Sequence, residues 1–352
     1  VPHCFPSLHL LSSFYRSHLP IPVHGLTGWN GTAMVNDWLY QLLQQDYQIM
    51  RSPKSYNSQI GVPLSVWQMN DHHTLGIFEA GISQPDEMQK LAKIIAPTIG
   101  VVTNIGEAHG EGFLNIRQKI NEKLKLFVKS DVLIYCADDL DLNEAVNLFK
   151  NNVRAGHPFE IFNWSKKDSA SLQIIAVESI NSQTTISAQW KEDAIIFTIP
   201  FTDTASIENA ITCCCVLLYL GIKINAIAER MLQLKPVEMR LELKQGINNC
   251  SIINDSYNAD INSLTIALDF LQQQQQHAKR TLILSDILQS GKTSGELYNE
   301  VAAILEQKNI NRFIGIGPEI SKQKNAFKNL TETVFFSSSA EFKQQFQVQH
   351  FH

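Results

Sequence analysis

Four apolar runs in the first 140 residues, "PIPVHG" (20–25), "TLGIFEAG" (74–81), "TIGVVTNIG" (98–106) and "DVLIYCADD" (131–139), set the rhythm of the chain. Each is followed by a stretch with apolar residues at helical spacing, near 33–46, 84–95, 115–129 and 141–150. Runs that are apolar throughout and separated by helical patterns predict strands of a parallel sheet covered on both faces. From 158 to 201 the texture changes. "FEIFNW", "LQIIAVESI", "TTISAQW" and "AIIFTIPF" alternate apolar and polar positions, which predicts an antiparallel patch. A helix pair follows at about 204–220 and 224–233. "LKPVEMRLELKQG" (234–246) reads as a linker into a second alternating unit: "CSIINDSYN", a helix at 261–275, "RTLILSD", a helix at 294–307 and "NRFIGIG". The glutamine run 272–276 continues the first of these helices as its solvated end. The expected fold class is α/β. A central P-loop-type, mostly parallel sheet domain with an antiparallel patch precedes a smaller Rossmann-like α/β domain.

Composition narrows the field mainly by exclusion. At 352 residues and a formal charge of -5, the chain has room for two domains and no basic excess of the kind that binds nucleic acid. No apolar run approaches the length that spans a bilayer, so no membrane insertion is expected. The six cysteines show neither CxxC pairing nor metal-ligand spacing, and reduced thiols in a cytoplasmic protein are the simplest reading. Cys213, Cys214 and Cys215 lie among small apolar residues and read as core packing. The opening segment lacks the basic start and unbroken apolar stretch of a signal peptide. With "FKQQFQVQHFH" at the other end, the sequence reads as a piece of a longer protein.

Chemistry first suggests itself at "GLTGWNGTAM" (25–34). A glycine-rich turn between a strand and a helix exposes backbone N–H groups and a helix N-terminus, which together hold anions. Gly25, Gly28 and Gly31 supply that pattern, although Gly25 to Gly31 is one residue longer than the generic phosphate loop. Where such loops continue with Lys and then Thr or Ser, this chain has Thr32 and Ala33. Thr32 has no charge for the phosphates, Ala33 no hydroxyl for a metal, and Trp29 brings a bulky ring into the loop. A second Gly-Lys-Thr, in "SGKTSGEL" (290–297), is a decoy. Asp286 stands where its upstream glycine belongs, and Thr293 with Glu296 forms a capping box.

"RSPKSYNSQIGVPLSVW" (51–67), "FEAGISQPDEM" (78–88), "TNIGEAHGEGF" (103–113), "EKLKLF" (122–127), "SIENAI" (206–211), "EMRLEL" (238–243) and "INDSYNAD" (253–260) follow the loop. In order and spacing this set resembles the Mur ligases, from about residue 10 to the end. The resemblance is nearest to those members that add D-alanyl-D-alanine to UDP-N-acetylmuramoyl-tripeptide, and among them to the form fused to an alanine racemase. It implies three parts: 1–19, a remnant of an N-terminal UDP-substrate domain; 20–235, a central ATP-binding domain; and 236–352, a truncated C-terminal domain. It also implies ATP and Mg²⁺, an acyl phosphate intermediate, and a place in peptidoglycan synthesis in the cytoplasm.

By the same resemblance, Gly25, Thr27, Gly28, Asn30, Gly31, Thr32 and Ala33 form the ATP loop. Glu79, His109 and Lys123 are the catalytic set: Glu79 and His109 contact metal, and Lys123 is carbamylated into a carboxylate-like ligand. Lys125 is a rival for that position. Without the resemblance, Lys123 amid Lys119, Lys125 and Lys129 looks like a solvated helix face, and His109 between Glu107 and Glu111 like a surface loop. Asn209 contacts adenine, although Ala205 and Ser206 replace part of its motif. Asp255 holds the ribose, Tyr257 and Asn258 lie against the nucleotide, and Arg240 reaches the phosphates. Asn57, Ser58 and Asn104 face the substrates. Two readings stay open: an ATP-dependent amide ligase, and a catalytically impaired module that scaffolds a racemase portion or survives as a decayed fragment. A folylpolyglutamate synthase-like enzyme is disfavoured by "SYNSQIGVPLSVW" and "NDSYNAD".

Overall fold

The computed structural model describes residues 4–29, 31–53, 56–105, 112–152, 158–237, 241–247, 250–256, 259–273, 279–288, 290 and 292–346. The chain divides into two compact units between Lys235 and Pro236. Among the described residues no helix is long and apolar enough to cross a membrane.

Among the described residues the first unit is built on nine strands: β1 (Val23–Thr27), β2 (Ile49–Arg51), β3 (Leu75–Glu79), β4 (Ile99–Val102), β5 (Val132–Cys136), β6 (Glu160–Ser165), β7 (Leu172–Ile180), β8 (Gln183–Trp190) and β9 (Asp193–Ile199). They lie in the order β2-β3-β1-β4-β5-β6-β7-β8-β9. Around them run α1 (Cys4–Ser17), α2 (Thr32–Leu43), α3 (Gly61–Val66), α4 (Met88–Ile95), α5 (Ile116–Leu124), α6 (Leu140–Asn152), α7 (Thr204–Tyr219) and α8 (Ile224–Leu232). Every residue of β1, β3 and β4 is buried, as unbroken apolar runs require of strands covered on both faces. Because β1 has β3 on one side and β4 on the other, chain connections diverge at its C-terminal end. That is where open α/β sheets bind ligands.

Departures from expectation have local causes. The helix expected from 84 begins at Met88. Ahead of it the Glu87 carboxylate accepts N–H bonds from Ser83 and Gln84, closing a turn that contains Asp86 at φ 65°. The antiparallel patch begins later than the alternating texture. β6 pairs parallel with both β5 and β7, and only β7-β8 and β8-β9 are antiparallel. Alternation reports which faces are buried, not strand direction. The three adjacent cysteines are fully buried in α7, as their apolar context predicted.

The second unit holds an antiparallel pair, β10 (Glu242–Gln245) with β11 (Ser251–Asn254), and a parallel sheet of β12 (Thr281–Ser285), β13 (Arg312–Ile316) and β14 (Glu332–Phe336). Its helices are α9 (Ile261–Gln273), α10 (Ser294–Gln307), α11 (Pro318–Lys322) and α12 (Ser339–Gln345). Part of the expected linker is therefore strand β10, too short and exposed to carry a clear period. The capping box is present. Thr293 accepts the Glu296 N–H, and the Glu296 carboxylate accepts that of Thr293. Gln274–Gln276 lie outside the described residues.

Candidate active site

The turn from β1 into α2 is fixed by its glycines. Gly31 sits at φ 88°, a left-handed conformation that favours glycine, and an added Cβ would run into the Asn209 side chain. At Gly28 an added Cβ would collide with the Thr103 hydroxyl. Trp29 donates its N–H to the Asn104 carbonyl at 2.9 Å, which pins the loop to the end of β4. Gly31, the N-cap of α2, offers no side-chain cap, and the first N–H groups of a helix are the kind of donors that take an anion. Asn30 lies outside the described residues.

Glu79 closes β3 beside this turn and is 5% exposed. Its Oε1 accepts a bond from the Thr32 hydroxyl at 2.7 Å and another from Asn57 Nδ2 at 2.9 Å. Oε2 is buried and has no partner among the described residues. A carboxylate oxygen left unpaired in a buried place is costly, and a hard divalent cation is the partner that relieves it. The residues present thus fit a magnesium ion. Thr32 is a structural member of the site: it holds one carboxylate oxygen and leaves the other free to coordinate.

Lys123 arrives from α5, whose start is capped by Asn115 accepting the Gln118 N–H. It is 4% exposed, and its Nζ donates to the Gly28 carbonyl at 2.8 Å and to Thr27 Oγ1 at 3.3 Å. Burial, reinforced by the charge of Lys119 and opposed by Glu79, pulls its pKa down to about 7. The solvated-face reading of this helix is therefore wrong for Lys119 and Lys123, both buried. Their i, i+4 spacing puts them on one side of the helix, facing the loop. Lys125 points elsewhere, to Glu122 and Asp86, and the hydrogen bond it donates to Glu122 heads the causes that raise its pKa.

Lys119 is the residue that motif reading missed. Its ammonium lies over the Trp29 ring, 3.6 Å from the centroid. The available signal was the helical interval to Lys123 combined with an aromatic in the loop. Asn209 lies in α7, which Asp203 caps by accepting the Ser206 N–H, and its Nδ2 contacts the Met34 sulfur at 3.3 Å. Ser58 accepts the Gly61 N–H at the start of α3, and the Asn104 side chain is exposed. In the second unit, Asp255 accepts the Leu241 N–H at 3.2 Å. His109, with Glu107 and Glu111, and Arg240, Tyr257 and Asn258 all lie outside the described residues.

Comparison with known proteins gives the following. Residues 26–217 match the family model of the Mur ligase middle domain, and residues 239–347 that of the Mur ligase glutamate ligase domain. The UDP-N-acetylmuramoyl-tripeptide–D-alanyl-D-alanine ligase of Bacillus subtilis is 29% identical over 315 residues, which are 88% of this chain and 66% of that protein. A crystal structure of MurF from Acinetobacter baumannii superposes with a TM-score of 0.83 at 19% identity, over 96% of this chain and 72% of that one. The Thermotoga maritima MurF ligase in complex with ADP does so with a TM-score of 0.74 at 19% identity, over 95% and 80%.

Proposed function

The chain belongs to the Mur ligase family, and from that premise we propose that it is an ATP-dependent amide ligase joining D-alanyl-D-alanine to UDP-N-acetylmuramoyl-tripeptide in peptidoglycan synthesis. The observation that carries this reading is the buried Glu79 carboxylate. One oxygen is tied to Thr32 and Asn57 and the other is unpartnered among the described residues, beside a phosphate-type turn.

The roles proposed are those that membership of the family implies. Loop N–H groups between Gly28 and Thr32 and the start of α2 would seat the triphosphate. Asn209, packed against Gly31, would meet adenine, and Asp255, Tyr257, Asn258 and Arg240 would serve the ribose, base and phosphates. Asn57, Ser58 and Asn104 would face the muramoyl peptide and the incoming amine. Glu79, His109 and Lys123 would hold magnesium, which neutralises charge on the transferring phosphoryl oxygens. Lys123 is suited to carbamylation: with a pKa near 7, much of it is the neutral amine that adds to carbon dioxide and releases a proton. The tripeptide carboxylate attacks the γ-phosphorus and ADP leaves. The D-alanyl-D-alanine amine then attacks the acyl carbon and phosphate departs. The protein's task is positioning and charge.

Thr32 and Ala33 favour a second reading, a non-catalytic module supporting an attached alanine racemase. A calorimetric titration with ATP, with and without Mg²⁺, decides between them. The ligase reading expects binding that Mg²⁺ strengthens and that Glu79→Gln uncouples from Mg²⁺. Binding confined to a Thr32→Lys, Ala33→Thr double variant would leave the scaffold reading. Binding is tested before turnover, since the chain spans 66% of the Bacillus subtilis relative.

A further inference from the structure

The two oxygens of the Glu79 carboxylate are treated unequally. A carboxylate oxygen offers about two lone-pair sites, and Oε1 has both filled: the Thr32 hydroxyl donates at 2.7 Å and Asn57 Nδ2 at 2.9 Å. Oε2 is buried with no partner among the described residues. The backbone around this side chain is held as well. Ser52 Oγ accepts the Glu79 N–H at 3.3 Å, and the Thr27 hydroxyl donates to the Ala80 carbonyl at 2.8 Å. The Gly81 N–H donates to the Asn57 carbonyl at 2.9 Å. Thr32 is 6% exposed, so water competes little for its bond. The carboxylate is thereby fixed in rotation, one oxygen saturated and the other offered.

We propose that Thr32 and Asn57 set the cation selectivity of this site by making Glu79 a one-oxygen ligand. Hard cations differ in what they ask of a carboxylate. Mg²⁺ is small, takes near-octahedral geometry and binds single carboxylate oxygens alongside waters and phosphates. Ca²⁺ is larger, takes more ligands and readily uses both oxygens of one carboxylate. With Oε1 saturated, Glu79 cannot close on a cation with both oxygens without breaking a hydrogen bond in a buried place, which is costly. The site therefore discriminates against Ca²⁺. Thr32 gains a role that the loss of a lysine does not suggest: its hydroxyl, on the first residue of α2, tunes the ligand beside it. Both residues act through Glu79, as positioning residues. This inference rests on the reading of Glu79 as a magnesium ligand.

The test is Mn²⁺ binding to the whole chain without nucleotide, followed by electron paramagnetic resonance, with Mg²⁺ and Ca²⁺ as competitors. Glu79→Gln defines the part of the signal that belongs to this site, and melting curves confirm folding. Thr32→Val and Asn57→Leu each remove a donor at nearly constant volume, while Thr32→Ser keeps the hydroxyl. Removing a partner of a metal-binding side chain typically changes metal affinity about 10–100-fold. The preference for Mg²⁺ over Ca²⁺ is therefore expected to fall on the order of tenfold in Thr32→Val and in Asn57→Leu, and to persist in Thr32→Ser. A merely structural role gives another pattern: equal losses for both competitors and an unchanged ratio. That pattern, no change in the folded variants, or an unaltered chain without preference for Mg²⁺ overturns the inference and leaves the ligase reading standing. An unaltered chain that binds ATP but gives no Mn²⁺ signal dependent on Glu79 does the same. One that binds neither overturns both.

Discussion

His24 is the second residue of β1, fully buried, with neither ring nitrogen partnered among the described residues. Burial pulls its pKa from the ordinary 6.5 down to about 4. Replacing it by leucine, close to it in size, isolates what that costs. In the folded chain the ring stays neutral down to about pH 4, whereas in the unfolded chain it takes up a proton near 6.5. The unfolded state therefore binds more protons between those values. Stability is intact above pH 6.5 and falls as pH is lowered toward 4. Across the whole window this amounts to about 3 kcal/mol, and between pH 7.5 and 5 to about 2 kcal/mol. At pH 7.5 the neutral ring still leaves buried polar atoms unpaired, so His24→Leu is expected to gain about 1–3 kcal/mol there. All five tryptophans lie before residue 236, so their fluorescence reports unfolding of the first unit alone. Urea midpoints at pH 7.5, 6 and 5 for both chains give the comparison, and other titrating groups cancel in the difference. Parallel loss of stability in the two chains as pH falls would refute the assignment of that loss to His24.

Three further changes test the scaffold. Gly31→Ala forces a Cβ into a left-handed turn and against Asn209, and should cost at least about 2 kcal/mol in the same fluorescence assay. An unchanged midpoint would mean the turn relaxes freely. Arg16 is buried and donates to the carbonyls of Ile95, Leu19 and Ile21, which ties α1 to the first unit. Arg16→Met should cost about 3 kcal/mol and speed amide exchange in α1, whereas native protection there would show that α1 is held by packing alone. Thr293→Ala removes the capping box of α10 and should lower the stability of the second unit by about 1 kcal/mol, read from circular dichroism melts.

β1, β3 and β4 were legible because each is buried on both faces, and such burial leaves an unbroken apolar run. β10 was not: Glu242, Leu243, Lys244 and Gln245 form a short, mostly exposed strand whose pairing with β11 is a tertiary fact. The site shows the same division. Glycine spacing announced the turn, and motif order singled out Glu79 and Lys123. That Lys119 and Lys123 are buried could not be read from their own helix, where four lysines within eleven residues suggest solvent. Their depth is set by what lies opposite them, a loop some ninety residues earlier in the chain. Thr32 was read only as a lost lysine. Its hydrogen bond to Glu79 depends on how β3 and α2 come together, which no local pattern records.

Each glycine of the loop is held by a different distant segment: Gly25 by Pro97, Gly28 by Thr103 and Gly31 by Asn209. The glycines shape the backbone, whereas Thr32 supplies side-chain chemistry through its bond to Glu79, so the turn's shape and its chemical endowment answer to separate pressures. A lineage can exchange Lys and Thr for other residues without disturbing the backbone, while losing any of the three glycines forces distant segments to shift. Glycine spacing in such a loop therefore records ancestry far more durably than competence, and the intervening letters tell how, and whether, a particular descendant still works.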